Sequence, residues 1–124
     1  MRLYLAGPMR GYEAFNKAMF DAEQMRLERA GYGVASPVKL DEGASWDLTT
    51  MTEADLPADW RRQVLRRDAK AIAGSDGLAL LPNWSDSEGV AWEIACARFL
   101  GIPVQEVQTW LDDALIHEEH VNGE

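Results

Sequence analysis

Apolar positions along the chain follow two periods, one of strands and one of helices. Arg2–Ala6 (RLYLA) is a short apolar run closed by Gly7-Pro8, the pattern of a buried strand. Residues 13–30 follow helical spacing. Phe15, Ala18, Met19, Ala22 and Met25 share one face, and Gly31 stands where a C-terminal cap belongs. Residues 32–36 (YGVAS), ahead of Pro37, predict a second strand. Residues 38–57 are acidic and turn-rich and read as a long loop with room for one helical turn. Asp59 can cap a helix running to about Ala73. Residues 77–81 (GLALL), stopped by Pro82, predict a third strand. A helix over 85–100 ends at Gly101 and Pro103, and 102–107 is a short fourth strand. The last helix, 109–119, has Trp110, Leu111, Ala114 and Leu115 as its apolar side.

This alternation predicts an α/β fold. The expected architecture is a flavodoxin-like, doubly wound parallel sheet of four or five strands with helices on both faces. The 124 residues suffice for one domain, 1–124, with a core of its own. Ligands of such sheets bind outside the carboxyl ends of the strands, near the switch in strand order. The site is therefore expected in the loops 7–13, 37–50 and 82–88.

Composition narrows the function. With 47% hydrophobic and 27% charged residues the chain is not of the disordered class. A net charge of −9 argues against a duplex nucleic-acid partner, which needs a basic face. That charge is uneven. Residues 41–60 and the tail 106–124 each carry −6, and the other 85 residues sum to +3. The −9 thus belongs to a loop and a tail, and leaves a phosphorylated small molecule open as ligand. The single cysteine, Cys96, forms no internal disulfide and reads as a core residue. No Cys/His cluster supplies a metal set, so neither metal nor cofactor is expected. His117 and His120, in the acidic tail, read as solvated. The N-terminal apolar run is far shorter than a signal-peptide core, and no segment approaches the ~18 apolar residues of a membrane span. A soluble cytoplasmic protein without a membrane partner is expected.

Three features carry candidate chemistry. Gly7-Pro8-Met9-Arg10-Gly11 combines two glycines, a cation and the start of a helix. It reads either as a phosphate cradle or as an ordinary turn between strand and helix. Asp68 falls in the middle of the apolar arc of its helix, among Trp60, Val64, Leu65, Ala71 and Ile72, opposite Arg62, Arg66, Arg67 and Lys70. A carboxylate there is either half-buried in an ion pair, with Arg61 the nearest partner on the wheel, or held at the wall of a cleft. In the helix over 85–100, Ser85 and Glu88 fit a capping box, which leaves Ser87 in the first turn, open to an anion. Glu93 has Val90, Cys96, Ala97 and Leu100 around it and no basic residue three or four positions away. A carboxylate so placed is costly to bury unless it has a task. Two such carboxylates near strand ends suggest chemistry at a glycosidic bond.

Leu3-Tyr4-Leu5-Ala6-Gly7-Pro8-Met9-Arg10-Gly11 resembles the opening of the nucleoside 2-deoxyribosyltransferase superfamily. The resemblance extends over about residues 2–104. It includes an acid in the second long helix, the run Ser75-Asp76-Gly77-Leu78-Ala79-Leu80-Leu81, and Ser87 six residues before Glu93. The spacing is most similar to the branch of deoxynucleoside 5′-monophosphate N-glycosidases and to small phage and bacterial relatives. The resemblance implies Glu93 as nucleophile at the anomeric carbon and Asp68 as the second carboxylate, which manages protons. It implies Tyr4 as the group that orients Glu93. Gly7, Pro8, Met9, Arg10, Gly11 and Ser87 would line the 5′ end of the nucleotide, and a homodimer or larger homo-oligomer would complete the site. Trp84 either stacks on the base or anchors a surface loop. Trp46, in the acidic segment 41–60, is a second candidate for stacking.

These features point to an N-glycosidase that hydrolyses a (deoxy)nucleoside 5′-monophosphate to free base and sugar 5-phosphate. Two alternatives stand beside it. One is a nucleoside 2-deoxyribosyltransferase that exchanges bases, and the other a non-catalytic nucleotide-binding module.

Overall fold

The computed structural model describes residues 1–9, 12–42 and 58–122. The strands are β1 (Arg2–Ala6), β2 (Gly33–Ala35), β3 (Gly77–Leu80) and β4 (Val104–Glu106). The helices are α1 (Lys17–Arg29), α2 (Pro37–Glu42), α3 (Trp60–Ala73), α4 (Glu88–Phe99) and α5 (Val107–Asn122). All pairings are parallel, in the order β2-β1-β3-β4. This is the expected flavodoxin-like α/β sheet, with four strands among the described residues. The order reverses between β1 and β3, so a crevice is expected above the carboxyl ends of those two strands.

β1 and β3 are central and covered on both faces, which is why they are nearly continuous apolar runs. Alternate residues serve alternate faces. Leu3, Leu5, Ala79 and Leu81 pack with Phe20, Leu27, Val107 and Trp110 on the side of α1 and α5. Tyr4, Ala6, Leu78 and Leu80 pack with Ile72, Val90, Ile94 and Ala97 on the side of α3 and α4. The edge strands β2 and β4 are three residues each.

Trp110 fastens α5 to the sheet. Its indole Nε1 donates to the Leu78 carbonyl at 3.0 Å, and its ring meets Tyr32 edge-on at 6.0 Å. A Cβ on Gly77 would lie 2.5 Å from the Trp110 ring and 2.9 Å from Leu3. Gly77→Ala is therefore expected to cost about 2 kcal/mol or more by overpacking, read as a lower urea midpoint at unchanged slope.

Three local expectations are corrected. First, α1 turns a different face inward. Phe20, Glu23 and Leu27 are buried, while Ala18, Met19, Ala22 and Met25 are exposed, Met25 by 52%. The sheet takes the bulky pair Phe20 and Leu27. Glu23 lies between them because Arg26 holds its two oxygens at 3.1 and 2.9 Å and also reaches Gln108 of α5. Phe15 precedes the helix altogether. Second, α4 starts at Glu88, with Ser87 as its cap and Ser85 in a preceding 3-10 turn (Trp84–Asp86). The Ser87 hydroxyl accepts from the Val90 N–H at 3.3 Å, so the Ser85–Glu88 capping box does not form. Third, Leu115 of α5 is 58% exposed, because the sheet is already covered by Val107 and Trp110. α2 occupies the start of the expected long loop. Among the described residues no helix is long and apolar enough to cross a membrane.

Candidate active site

The alternation along β1 aims Tyr4 at the side where α3 and α4 pack on each other, and each of those helices carries one buried acid there. Tyr4 is 0%, Asp68 6% and Glu93 8% exposed. Three chemistry-bearing side chains from three elements thus meet at one place.

The partner of Asp68 is Arg67, not Arg61. Asp68 Oδ1 accepts from Arg67 Nε at 3.1 Å and from Nη2 at 2.9 Å. A helical wheel puts Arg67 on the outer face, but its long side chain bends its guanidinium round to the neighbouring carboxylate. Arg61 stands elsewhere on the wall of the same cavity.

Burial dominates the electrostatics. It pushes the Glu93 pKa up to about 8, with the charge of Asp68 adding to the rise and the Tyr4 hydroxyl and Arg67 opposing it. Burial also raises Asp68, against the charge and hydrogen bonds of Arg67 and a contribution from the Tyr4 hydroxyl. The Tyr4 hydroxyl is held well above its usual value by burial first and then by the charges of Glu93 and Asp68. It has no partner in full hydrogen-bond geometry, yet it adjoins both carboxylates closely enough to stabilise their ionised forms. Two neighbouring acids in an apolar setting do not both ionise readily, which favours a proton shared between them.

The carboxylates open onto a cavity of about 610 Å³. Gly7, Pro8 and Met9 form its side next to the sheet, and Tyr12, Phe15 and Trp60 give it aromatic surface. Asp86, Ser87, Glu88 and Gly89 bring the start of α4 to it, and Trp92 stands at the wall beside Glu93. Free N–H groups in the first turn of α4 suit an anion, while Asp86 and Glu88 oppose one. The glycine at position 7 answers to the fold rather than to a ligand. A Cβ there would stand 2.4 Å from the Leu81 side chain, where β1 and β3 end side by side.

Gly7, Pro8, Met9 and Ser87 thus line one cavity with Asp68 and Glu93. Arg10, Gly11 and Trp46 lie outside the described residues. Trp84 does not line the cavity; it packs partly buried against the core on the α3/α4 side, the anchoring of its two readings. The aromatic surface comes instead from Tyr12, Phe15 and Trp60, none singled out for that part in the sequence. Phe15 was hidden in an apparent helix and Trp60 in an apolar arc. Among the described residues no group of three or more His, Cys, Asp or Glu is placed to hold a metal ion.

The chain between the first strand and α1 is strained. Ala14 (φ 47°), Phe15 (φ 54°) and Asn16 (φ 66°) are all left-handed. For Ala and Phe this conformation costs about 1–2 kcal/mol each.

A family model described as a domain of unknown function (DUF4406) matches residues 1–58 and 49–106. No curated protein matches the chain. Among solved structures it is similar to the 2-deoxyribosyltransferase of the psychrotolerant bacterium Bacillus psychrosaccharolyticus, at 28% identity and a TM-score of 0.59. The match covers 84% of this chain and 69% of that one. That enzyme is described as a biocatalyst for nucleoside synthesis. The resemblance seen in the sequence is borne out by this likeness of structure.

Proposed function

The chain belongs to the family of the domain of unknown function DUF4406, and on that premise we propose that it is an enzyme of nucleoside glycosyl transfer, an N-glycosidase of (deoxy)nucleoside 5′-monophosphates. One observation carries this reading: Glu93 and Asp68, two buried acids with the Tyr4 hydroxyl beside both, stand at the wall of a cavity large enough for a nucleotide.

The reactive arrangement has Glu93 ionised and the shared proton on Asp68. A Glu93 oxygen bonds to the anomeric carbon as the bond from that carbon to the base nitrogen breaks. The electron pair of that bond leaves with the base, which takes the proton of Asp68. Water then adds to the anomeric carbon and passes a proton to Asp68. Glu93 is released and the sugar 5-phosphate is free. Tyr4, adjoining both carboxylates, offers the proton a way between them.

The base would lie against Tyr12, Phe15 and Trp60, whose rings accept any nucleobase face. The 5′-phosphate would lie by Pro8, Met9 and Ser87, with Arg10 and Gly11 as further candidates. Phe99, 90% exposed on α4 seven residues beyond Trp92, supports a homodimer or larger homo-oligomer seated on that helix. The substrate is free nucleotide in the cytoplasm.

Likeness to a 2-deoxyribosyltransferase, with Asp86 and Glu88 flanking Ser87, favours a second reading in which a free base replaces water. Chromatography of nucleoside 5′-monophosphates incubated with the protein tests the first: free base and sugar 5-phosphate are expected. A nucleoside given together with a second free base tests the second. A new nucleoside in that mixture, without base release from monophosphates, would replace hydrolase by transferase.

A further inference from the structure

We infer that Asn16 is a positioning residue whose side chain ties the phosphate-side wall of the cavity to its aromatic wall. The inference rests on the proposed nucleotide site. Asn16 Nδ2 donates to the Pro8 carbonyl at 2.9 Å. Pro8 belongs to the wall beside the sheet, and Phe15, next to Asn16, belongs to the aromatic wall.

Two observations make this bond more than a turn contact. Asn16 stands at the N-cap of α1, where an asparagine side chain ordinarily accepts from the helix's free N–H groups, yet it caps nothing there. The contact the side chain does make is the longer one, from Nδ2 to Pro8. The second is the strain. Ala14, Phe15 and Asn16 run left-handed in sequence, and only Asn tolerates that conformation readily. Within the segment the holding bonds are local: the Phe15 N–H donates to Tyr12 O at 3.1 Å, and the Tyr12 N–H to Met9 O at 3.4 Å. The Asn16 amide reaches past them to Pro8. Strain that the surroundings hold in place is a means of fixing a side chain, here the ring of Phe15.

Asn16→Asp separates this role from folding. Aspartate keeps the size and the tolerance of left-handed backbone, and cannot donate to Pro8. The expected result is a Tm lowered by no more than about 5 °C and faster hydrogen exchange at the Tyr12 and Phe15 amides. KM for a nucleoside 5′-monophosphate should rise at least about tenfold, with kcat changed by less than about threefold. Asn16→Gly, which relieves the backbone and also lacks the amide, should show the same rise in KM. A wild-type KM in both variants overturns the inference, and so does a raised KM with unchanged exchange at Tyr12 and Phe15. Failure of the wild-type protein itself to bind or cleave any nucleoside monophosphate would instead fall on the proposed function.

Discussion

Glu93→Gln is expected to abolish base release and to leave a protein that outlasts the parent most clearly in alkali. The activity half follows from the nucleophile role proposed for the residue. An amide cannot bond to the anomeric carbon and leave again, and loss of a covalent nucleophile costs on the order of 10^4-fold or more in kcat. The stability half follows from burial. The carboxyl of Glu93 titrates near 8 in the fold, well above its usual value of 4.5. Below 4.5 both folded and unfolded chains hold that proton, and the fold suffers nothing. Between 4.5 and 8 the unfolded chain releases it and the folded chain does not, so stability falls as pH rises, and above 8 the loss is complete. The whole interval is worth roughly 3 to 5 kcal/mol. The amide that replaces the carboxyl in the variant has no proton to lose. Thermal melts of parent and variant should therefore nearly coincide at pH 5 and separate by pH 9, with the variant higher. Equal separation at both pH values would mean that Glu93 is not buried as a neutral acid.

The same titration shapes the rate. In the proposed mechanism the leaving base takes the proton that Asp68 and Glu93 share, and Glu93 gives up its proton at about 8. Base release by the parent should fall as pH rises through that value, seen in kcat/KM across pH 6–10.

How much of this site could be read in the sequence differs from residue to residue, for physical reasons. Glu93 was readable because helical spacing fixes where a Cβ points, whereas Tyr4, inside an apolar strand, stood out only through the family resemblance. Asp68 was readable for the same reason as Glu93. Its partner was not, because Arg67 reaches it through rotations that no wheel represents. The buried face of α1 was misjudged because a carboxylate, Glu23, sits in the inward stripe, where Arg26 one turn on satisfies it and is itself bonded to Gln108 of α5. The apolar residues left outside then looked like the core. Phe15 was lost to that pattern as well: the left-handed turn that delivers it to the cavity has no glycine to announce it. Ser87 kept its place at the cavity although the cap moved from Ser85, since either serine can close the same helix.

Asp68→Asn is the second large loss expected, and its size should depend on the base. Asparagine fills the same space beside Arg67 but carries no transferable proton. General acid catalysis by a positioned carboxyl contributes about 10^2- to 10^4-fold, and that contribution is needed only as far as the leaving base cannot bear its own electron pair. A nucleotide with an intrinsically good leaving group should therefore lose much less in the variant than one whose base must be protonated to depart. Arg67→Met approaches the same carboxyl from the other side. The guanidinium lowers the Asp68 pKa against its burial, so removing it moves that pKa further up. Asp68 then keeps its proton to higher pH, and the alkaline fall of kcat/KM moves upward rather than downward. The two variants separate the functions of the pair. Asp68→Asn changes how the rate depends on the leaving base, and Arg67→Met changes how it depends on pH. If Asp68→Asn lowered the rate equally for good and poor leaving groups, Asp68 would be holding the substrate or Glu93 in place, not delivering a proton.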